Sequence, residues 1–168
     1  MPAARVPVTV ETTVSVARDT AFAAIAPIDL ARIFHRLGPV PAVTGTREQT
    51  SAWDRVGARR VVELSDGSEA REEIITFDAP RHFGYRVGSF TGPFRRVVEH
   101  ADGAWWFAPD GSGGTHIRWT YTFQARRGMG PVVRLVLAPL WRAYARRALA
   151  RGATIAEASP PTSSPAAG

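Results

Sequence analysis

Few residues in this chain combine a reactive side chain with a position suited to chemistry. Tyr85 and Tyr121 each fall at an apolar position of an alternating stretch, Phe83-x-Tyr85-x-Val87 and Ile117-x-Trp119-x-Tyr121-x-Phe123. Each therefore sets a phenol among hydrophobic side chains, where it could hydrogen-bond a ligand's carbonyl or hydroxyl. A hydroxyl that only reaches the rim is the plainer alternative. Glu99 and His100 are the candidate bases. Glu99 points the same way as Trp105 if the strand runs unbroken, whereas a bulge at Asp102-Gly103 turns His100 inward instead. Whichever is buried would serve as a general base, with a buried Glu99 raised in pKa by desolvation. A rim or outer-face charge is the competing reading for both. Glu72 shares a face with Ile74, but Ile75 and Phe77 have the opposite parity and leave its facing open.

Other chemistries lack the residues or the spacing. The chain has no cysteine, which removes disulfides, thiol catalysis and thiolate metal ligation. Gly111-Ser112-Gly113-Gly114 lies between two strand patterns and opens no helix, so it reads as a hairpin turn and not as a phosphate cradle. Ser112 lacks the Gly-x-Ser-x-Gly frame of a nucleophile elbow. His35, His82, His100 and His116 are isolated, and His82 and His116 fall on expected outer faces, so no metal site is expected.

The elements that would position these groups follow from periodicity. Val8, Val10, Thr12, Val14 and Val16 alternate with Thr9, Glu11, Thr13 and Ser15 as a first strand. Asp19 or Thr20 can cap a helix carrying Phe22, Ile25 and Ile28, which Pro27 ends or kinks. Asp29 can cap a second short helix with Leu30, Ile33, Phe34 and Leu37 as its stripe, closed by Gly38-Pro39. From Ala42 the period is two, over 42–50, 57–65, 69–77, 82–88, 94–108 and 114–124, with turn-type breaks between. Such short spacing predicts an antiparallel meander. A bulge at Asp102-Gly103 inside one long bent strand fits the sixth segment better than a turn that splits it. A helix then begins near Pro131 and carries Val133, Val136, Leu137, Leu140, Trp141, Tyr144, Ala148 and Ile155 on one stripe. About 28 helical residues would reach roughly 40 Å at ~1.5 Å each. Pro139 should kink this helix.

The chain has 168 residues and 45% hydrophobic content, which suits one globular domain with a core of its own. No apolar run approaches a membrane span, and the start lacks the apolar stretch of a secretory signal, so a cytoplasmic protein is expected. The net charge of +6 suggests anionic partners. All the basic residues are arginine, however, and the wealth of Ala, Gly and Pro points to compositional bias, so nucleic-acid binding is not expected. Arg142, Arg146, Arg147 and Arg151 could make weak contact with anionic headgroups, although a solvated helix face explains them more simply.

Three motifs carry a resemblance. Trp105-x-Phe107-x-Pro109, a glycine turn, and Gly114-Thr115-x-Ile117-x-Trp119 form a terminal hairpin, and Asp78-Ala79-Pro80-Arg81 leads into Phe83-Gly84-Tyr85. With the element order, the chain from Val8 to about Ala158 resembles the helix-grip fold of the Bet v 1 and START-like superfamily. At the residue level it is similar to the polyketide cyclase/dehydrase branch, SRPBCC. The resemblance implies an α+β domain over residues 1–158. In it a curved seven-stranded antiparallel sheet wraps around the long C-terminal helix, two short helices lie between strands 1 and 2, and a cavity separates sheet from helix. Residues 159–168 have too little apolar character to order and are expected to be a disordered tail.

Strand parity then nominates Phe83, Tyr85, Trp105, Phe107, Trp119 and Tyr121 for the cavity wall. The helix would add Leu137, Leu140, Trp141 and Tyr144, and the lid Phe22, Ile25, Ile33 and Phe34. Part of this set is expected to be ordinary core. The expected function is binding or carrying a small hydrophobic molecule, such as a lipid, an isoprenoid or an aromatic polyketide, with no cofactor. A cofactor-free polyketide cyclase or dehydratase is the alternative, with Glu99 or His100 as base and Tyr85 or Tyr121 stabilising an enolate. A protein-interaction module is a second alternative. A buried acid or base beside a tyrosine hydroxyl would favour the enzyme.

Overall fold

The computed structural model describes residues 3–162. Seven strands form one antiparallel sheet in the order β1-β7-β6-β5-β4-β3-β2. They are β1 (Arg5–Val14), β2 (Val43–Arg47), β3 (Arg59–Leu64), β4 (Glu69–Asp78), β5 (His82–Gly88), β6 (Val98–Pro109) and β7 (Thr115–Ala125). β2 to β7 run as a meander, and β1 closes onto the free side of β7 in an unbroken register from Arg5↔Gln124 to Val14↔Thr115. The helix-grip reading therefore holds: the C-terminal helix packs against the sheet at β1 and against the first helix.

The alternation on β7 is as the sequence predicts. Thr115, Ile117, Trp119, Tyr121, Phe123 and Ala125 are buried on one face. Helix α1 (Arg18–Ile25) follows β1, but its N-cap is Ala17 with no side-chain cap, and Asp19 sits in its first turn. There the Asp19 carboxylate faces the positive end of the helix dipole without capping it. Asp29 does cap the next element by accepting from the Ala31 N–H at 3.0 Å. That element is a single 3-10 turn, Leu30–Arg32, shorter than the stripe to Leu37 suggests.

Two register irregularities decide which side chains face inward. On β4 the shift lies between Ile74 and Thr76, so Ala70, Glu72 and Ile74 face the core, Ile75 is left exposed, and parity resumes one residue late. On β6 the shift lies between Val98 and His100. Pairing with β5 then runs without a break from Gly88↔His100 through Arg86↔Asp102 and Tyr85↔Gly103 to His82↔Trp106. The bulge expected at Asp102-Gly103 is thus displaced to the start of the strand. The preceding residues Pro93–Arg96 form a 3-10 turn and not strand, which is why the period-two pattern cannot be extended back to 94.

Gly103 lies between Tyr85 on β5 and Tyr121 on β7. A Cβ there would come within 2.2 Å of the Tyr85 ring, so glycine lets the phenol lie flat across the neighbouring strand.

The C-terminal helix runs from Gly130 to Glu157 as an α turn (Gly130–Val132), a π segment (Val133–Leu137) and a long α-helix (Ala138–Glu157). The π segment ends just before Pro139, where the Ala138 N–H bonds to the Val133 carbonyl five residues back. The wider turn absorbs the missing proline N–H and the crowding of its ring. Val136 is exposed, and so departs from the expected buried stripe. After the helix, the Ser159 hydroxyl donates to the Ile155 carbonyl, and the Thr162 N–H donates to the Thr20 hydroxyl at 3.2 Å. The rest of the expected disordered tail, 163–168, lies outside the described residues.

Gly103→Ala should destabilise the fold by about 1–3 kcal/mol through overpacking against Tyr85. Urea unfolding of the single and double variants should show a smaller added loss in a Tyr85→Ala background; equal losses in both backgrounds would disprove the contact.

Candidate functional site

The concave face of the sheet is an aromatic pavement. Trp105 stacks on Trp119 across β6 and β7, with ring centroids 4.6 Å apart and planes 13° from parallel. Phe83 lies almost parallel to Trp105 at 5.9 Å. At the end near α1, Phe22 meets Phe77, Phe83 and Phe107 edge-on. Each such pair adds about 0.5–1.5 kcal/mol beyond area burial. From the helix, Trp141 reaches down onto Tyr121 at 4.4 Å, and Phe34 stacks on Tyr144 at 5.4 Å.

Between this floor and the helix is a cavity of about 350 Å³, at the small end of the range for ligand pockets. Ile25, Phe34, Phe83, Tyr85, Trp105, Tyr121, Leu137, Trp141 and Tyr144 line it, as expected from the sequence, together with Ile33 and Leu140. Phe22, Phe107 and Trp119 do not. Phe22 and Phe107 close the far end as packed core, and Trp119 is covered by Trp105, Phe34 and Trp141. Pro39, Val40 and Pro41 line the cavity from the loop before β2, Asp66 and Ser68 from the β3–β4 turn, and Phe90 and Phe94 from the β5–β6 connection.

Neither expected base enters. The displaced bulge on β6 leaves Glu99 exposed and His100 half-buried on the outer face, and neither lines the cavity. Of the acidic groups at the wall, Asp66, Glu69 and Glu72, the buried one is Glu72, with Arg60 directly opposite it in the β3–β4 register. Arg60 and Glu72 are 7% and 9% exposed. The Arg60 Nε donates to Glu72 Oε2 at 2.7 Å, while the guanidinium lies 3.9 Å from the centre of the Trp53 ring. Two contacts thus compensate two buried charges: a hydrogen-bonded ion pair and a cation–π contact. Glu72 was an open case in the sequence because the β4 bulge reverses parity just after it. Arg60 and Trp53 were missed. The signal for Arg60 was its parity with Ala58, Val62 and Leu64; Trp53 lies in a loop, where no periodicity could mark it.

The tyrosine hydroxyls differ in their use. Tyr144 donates to the Pro41 carbonyl at 2.8 Å and so ties the helix to the loop beside the cavity. Tyr85 and Tyr121 face the cavity side by side, with ring centroids 6.5 Å apart. Burial is the main cause of the upward shift of the Tyr85 phenol, with the charge of Glu72 next; the indole groups of Trp105 and Trp119 oppose it. Burial likewise raises Tyr121, followed by the neighbouring Tyr85. The buried indole N–H groups of Trp119 and Trp141 have no partner among the described residues. An apolar wall therefore holds a small surplus of hydrogen-bonding groups, mostly donors, around Tyr121.

The remaining sequence candidates serve the fold. His82 donates from Nδ1 to the Trp105 carbonyl at 2.7 Å and stacks on Trp106 on the outer face. The glycine turn is organised by Asp110, whose Oδ1 accepts from the N–H groups of Ser112 and Gly114. Those bonds hold its carboxyl below the ordinary carboxylate range. Among the described residues no group of three or more His, Asp or Glu could hold a metal ion, and no helix is long and apolar enough to cross a membrane. Arg151 is half-buried and donates to the Ile33 carbonyl at 3.0 Å, which removes it from the expected arginine face.

A family profile described as polyketide cyclase / dehydrase and lipid transport matches residues 5–157. The chain belongs to this family. Among solved structures it is similar to that of Ara h 8.0201, with 19% identity and a TM-score of 0.65, covering 90% of this chain and 98% of the other. It is also similar to truncated norcoclaurine synthase from Thalictrum flavum, with 15% identity, a TM-score of 0.65 and 94% of each chain covered. Norcoclaurine synthase from the same plant in complex with dopamine and hydroxybenzaldehyde gives 17% identity and a TM-score of 0.66, over 90% of this chain and 86% of that one. At these identities the likeness establishes the fold. A comparison with curated proteins finds no match. The family and its fold are consistent with hydrophobic ligand binding.

Two outcomes test the site. All three tyrosines of the chain are shifted upward by burial. The native state therefore holds these protons more tightly than the unfolded chain, whose phenols ionise near 10. The resulting stability is complete below pH 10 and is lost as pH rises above it. Phenolate absorbance should stay flat through pH 10 and appear together with unfolding; a reversible titration near 10 in folded protein would refute the burial. Glu72→Ala should cost about 3–5 kcal/mol in denaturant unfolding, because it leaves Arg60 buried and unpaired. Arg60→Met combined with Glu72→Leu should restore most of that loss, and a double variant as unstable as the single one would contradict the argument.

Proposed function

We propose that the protein binds one small apolar molecule in the cavity between sheet and C-terminal helix and carries it. A lipid, an isoprenoid or an aromatic polyketide is the class that fits, and the molecule presents a hydrogen-bond acceptor to the region of Tyr85 and Tyr121. The observation that carries this reading is a buried indole N–H without a partner beside two phenols in a mainly apolar wall. The buried Trp141 indole N–H has no partner among the described residues, a buried donor left unmade is costly, and the Tyr85 and Tyr121 phenols lie in the same wall as further donors. A ligand carbonyl would satisfy them. The complex of norcoclaurine synthase with dopamine and hydroxybenzaldehyde is a case of a protein of this fold holding small aromatic molecules.

A second reading is favoured by Glu72, a buried acid whose charge is felt by the Tyr85 hydroxyl. In a cyclase or dehydratase, Glu72 would take a proton from the carbon beside a ketone. The electron pair would move to the ketone oxygen, and Tyr85 would hydrogen-bond the enolate. Glu72 Oε2 is engaged by Arg60, leaving Oε1 for that proton. The engagement is the reason carriage stands first.

Native mass spectrometry of freshly purified protein should show one small molecule per chain. Tyr85→Phe and Tyr121→Phe should each weaken a carbonyl-bearing ligand about fivefold, the equivalent of one hydrogen bond. No bound molecule and no thermal shift across a panel of lipids and aromatics would refute carriage. If a candidate poly-ketone is turned over and Glu72→Gln abolishes turnover while binding persists, the enzyme reading replaces it.

A further inference from the structure

The outer face of the C-terminal helix changes character along its length. At its start Val132, Leu135 and Val136 are 42%, 74% and 62% exposed, and their i, i+3, i+4 spacing keeps them on one side. The side chains just beyond, Leu137 and Leu140, line the cavity. The apolar patch therefore lies beside the cavity wall. Farther along, the exposed side is taken over by Arg142, Arg146 and Arg147.

The ground around the patch is basic. Arg134 lies within it, and Arg126 and Arg127 precede the helix, all exposed. Arg126 donates through Nε to the Arg95 carbonyl and through its backbone N–H to the Val97 carbonyl at 2.9 Å. These bonds bring the exposed Arg95 and Arg96 of the β5–β6 connection to the same end of the molecule, alongside Phe90 and Phe94 of the cavity rim. None of these five arginines pairs with a carboxylate among the described residues. An exposed apolar cluster in a field of arginines without carboxylate partners is complementary to one surface: acyl chains beneath anionic headgroups.

We propose that this end of the molecule docks on an anionic lipid bilayer. Val132, Leu135 and Val136 enter the acyl boundary, and Arg95, Arg96, Arg126, Arg127 and Arg134 lie at headgroup level. The cavity then opens toward the membrane. Docking stands on this surface alone and does not require the cavity to be a carrier site, so ligand binding without membranes and docking without ligand are separable results.

Flotation of the full chain with vesicles tests it. Vesicles of phosphatidylcholine with phosphatidylglycerol should carry the protein up, vesicles of phosphatidylcholine alone should not, and molar salt should release it. Leu135→Ser with Val136→Ser changes only exposed side chains, so its thermal midpoint should be unchanged while flotation falls at least tenfold. Arg127→Gln and Arg134→Gln should each weaken binding about fivefold. Flotation that ignores lipid charge, or that survives Leu135→Ser with Val136→Ser, overturns the proposal. So does a dimer in light scattering that dissociates in that double variant while no vesicle binds, since the face would then belong to a second copy.

Discussion

The structure depends on one contact between layers, the Trp141 ring standing 4.4 Å over Tyr121. A sheet face paved with Phe83, Trp105, Trp119, Tyr121 and Phe123 cannot be left to water. The C-terminal helix is the element that covers it, and Trp141 is the point at which helix and floor meet. Phe34 and Tyr144 extend that contact on one side, and the bond from Tyr144 to Pro41 fixes the loop over it. With the layers propped apart by large rings, full closure everywhere is not attainable. The unfilled remainder is the cavity.

The sheet shapes the same space. Gly103, in the middle of the longest strand, removes a side chain where Tyr85 and Tyr121 approach from either side, so two phenols share the floor and neither is driven off it. The π segment ahead of Pro139 lets the helix carry a proline and still present Leu137, Leu140 and Trp141 to the sheet. On the flank, Arg60 and Glu72 place a charged pair in an apolar wall. Arg60 is held against Trp53 and Glu72 Oε2, and Tyr85 feels the Glu72 charge more than that of Arg60.

Much of this was legible before the structure. The uninterrupted alternation of Ile117, Trp119, Tyr121 and Phe123 declared both a strand and its inward face, because nothing in β7 disturbs the pleat. Parity of the same kind on β5 and β6 placed Phe83, Tyr85 and Trp105 on the cavity wall, whereas Phe107 and Trp119 are packed core. Errors arose where a single residue shifts register. The bulge beside Glu99 turns that carboxylate outward, the unbroken strand from His100 keeps the imidazole outward, and the bulge at Ile75 obscured Glu72, since a one-residue slip reverses the facing of a side chain. Asp102-Gly103 attracted the bulge by its turn-like composition, whereas its glycine serves the Tyr85 ring instead. Arg60 and Trp53 were overlooked for a different reason: a guanidinium on an inward position looks like a surface charge until its cross-strand carboxylate is known, and register is a tertiary fact.

The central claim is that the space between sheet and helix is the binding site. The most direct measurement is titration with an apolar fluorescent dye such as Nile red, comparing the native chain with Ala70→Phe, which puts a ring into the cavity from β4. The account expects one dye per native chain, with the emission of a dry apolar site, and loss of binding in an Ala70→Phe protein that still unfolds at the native midpoint. Equal binding by the two proteins would contradict it.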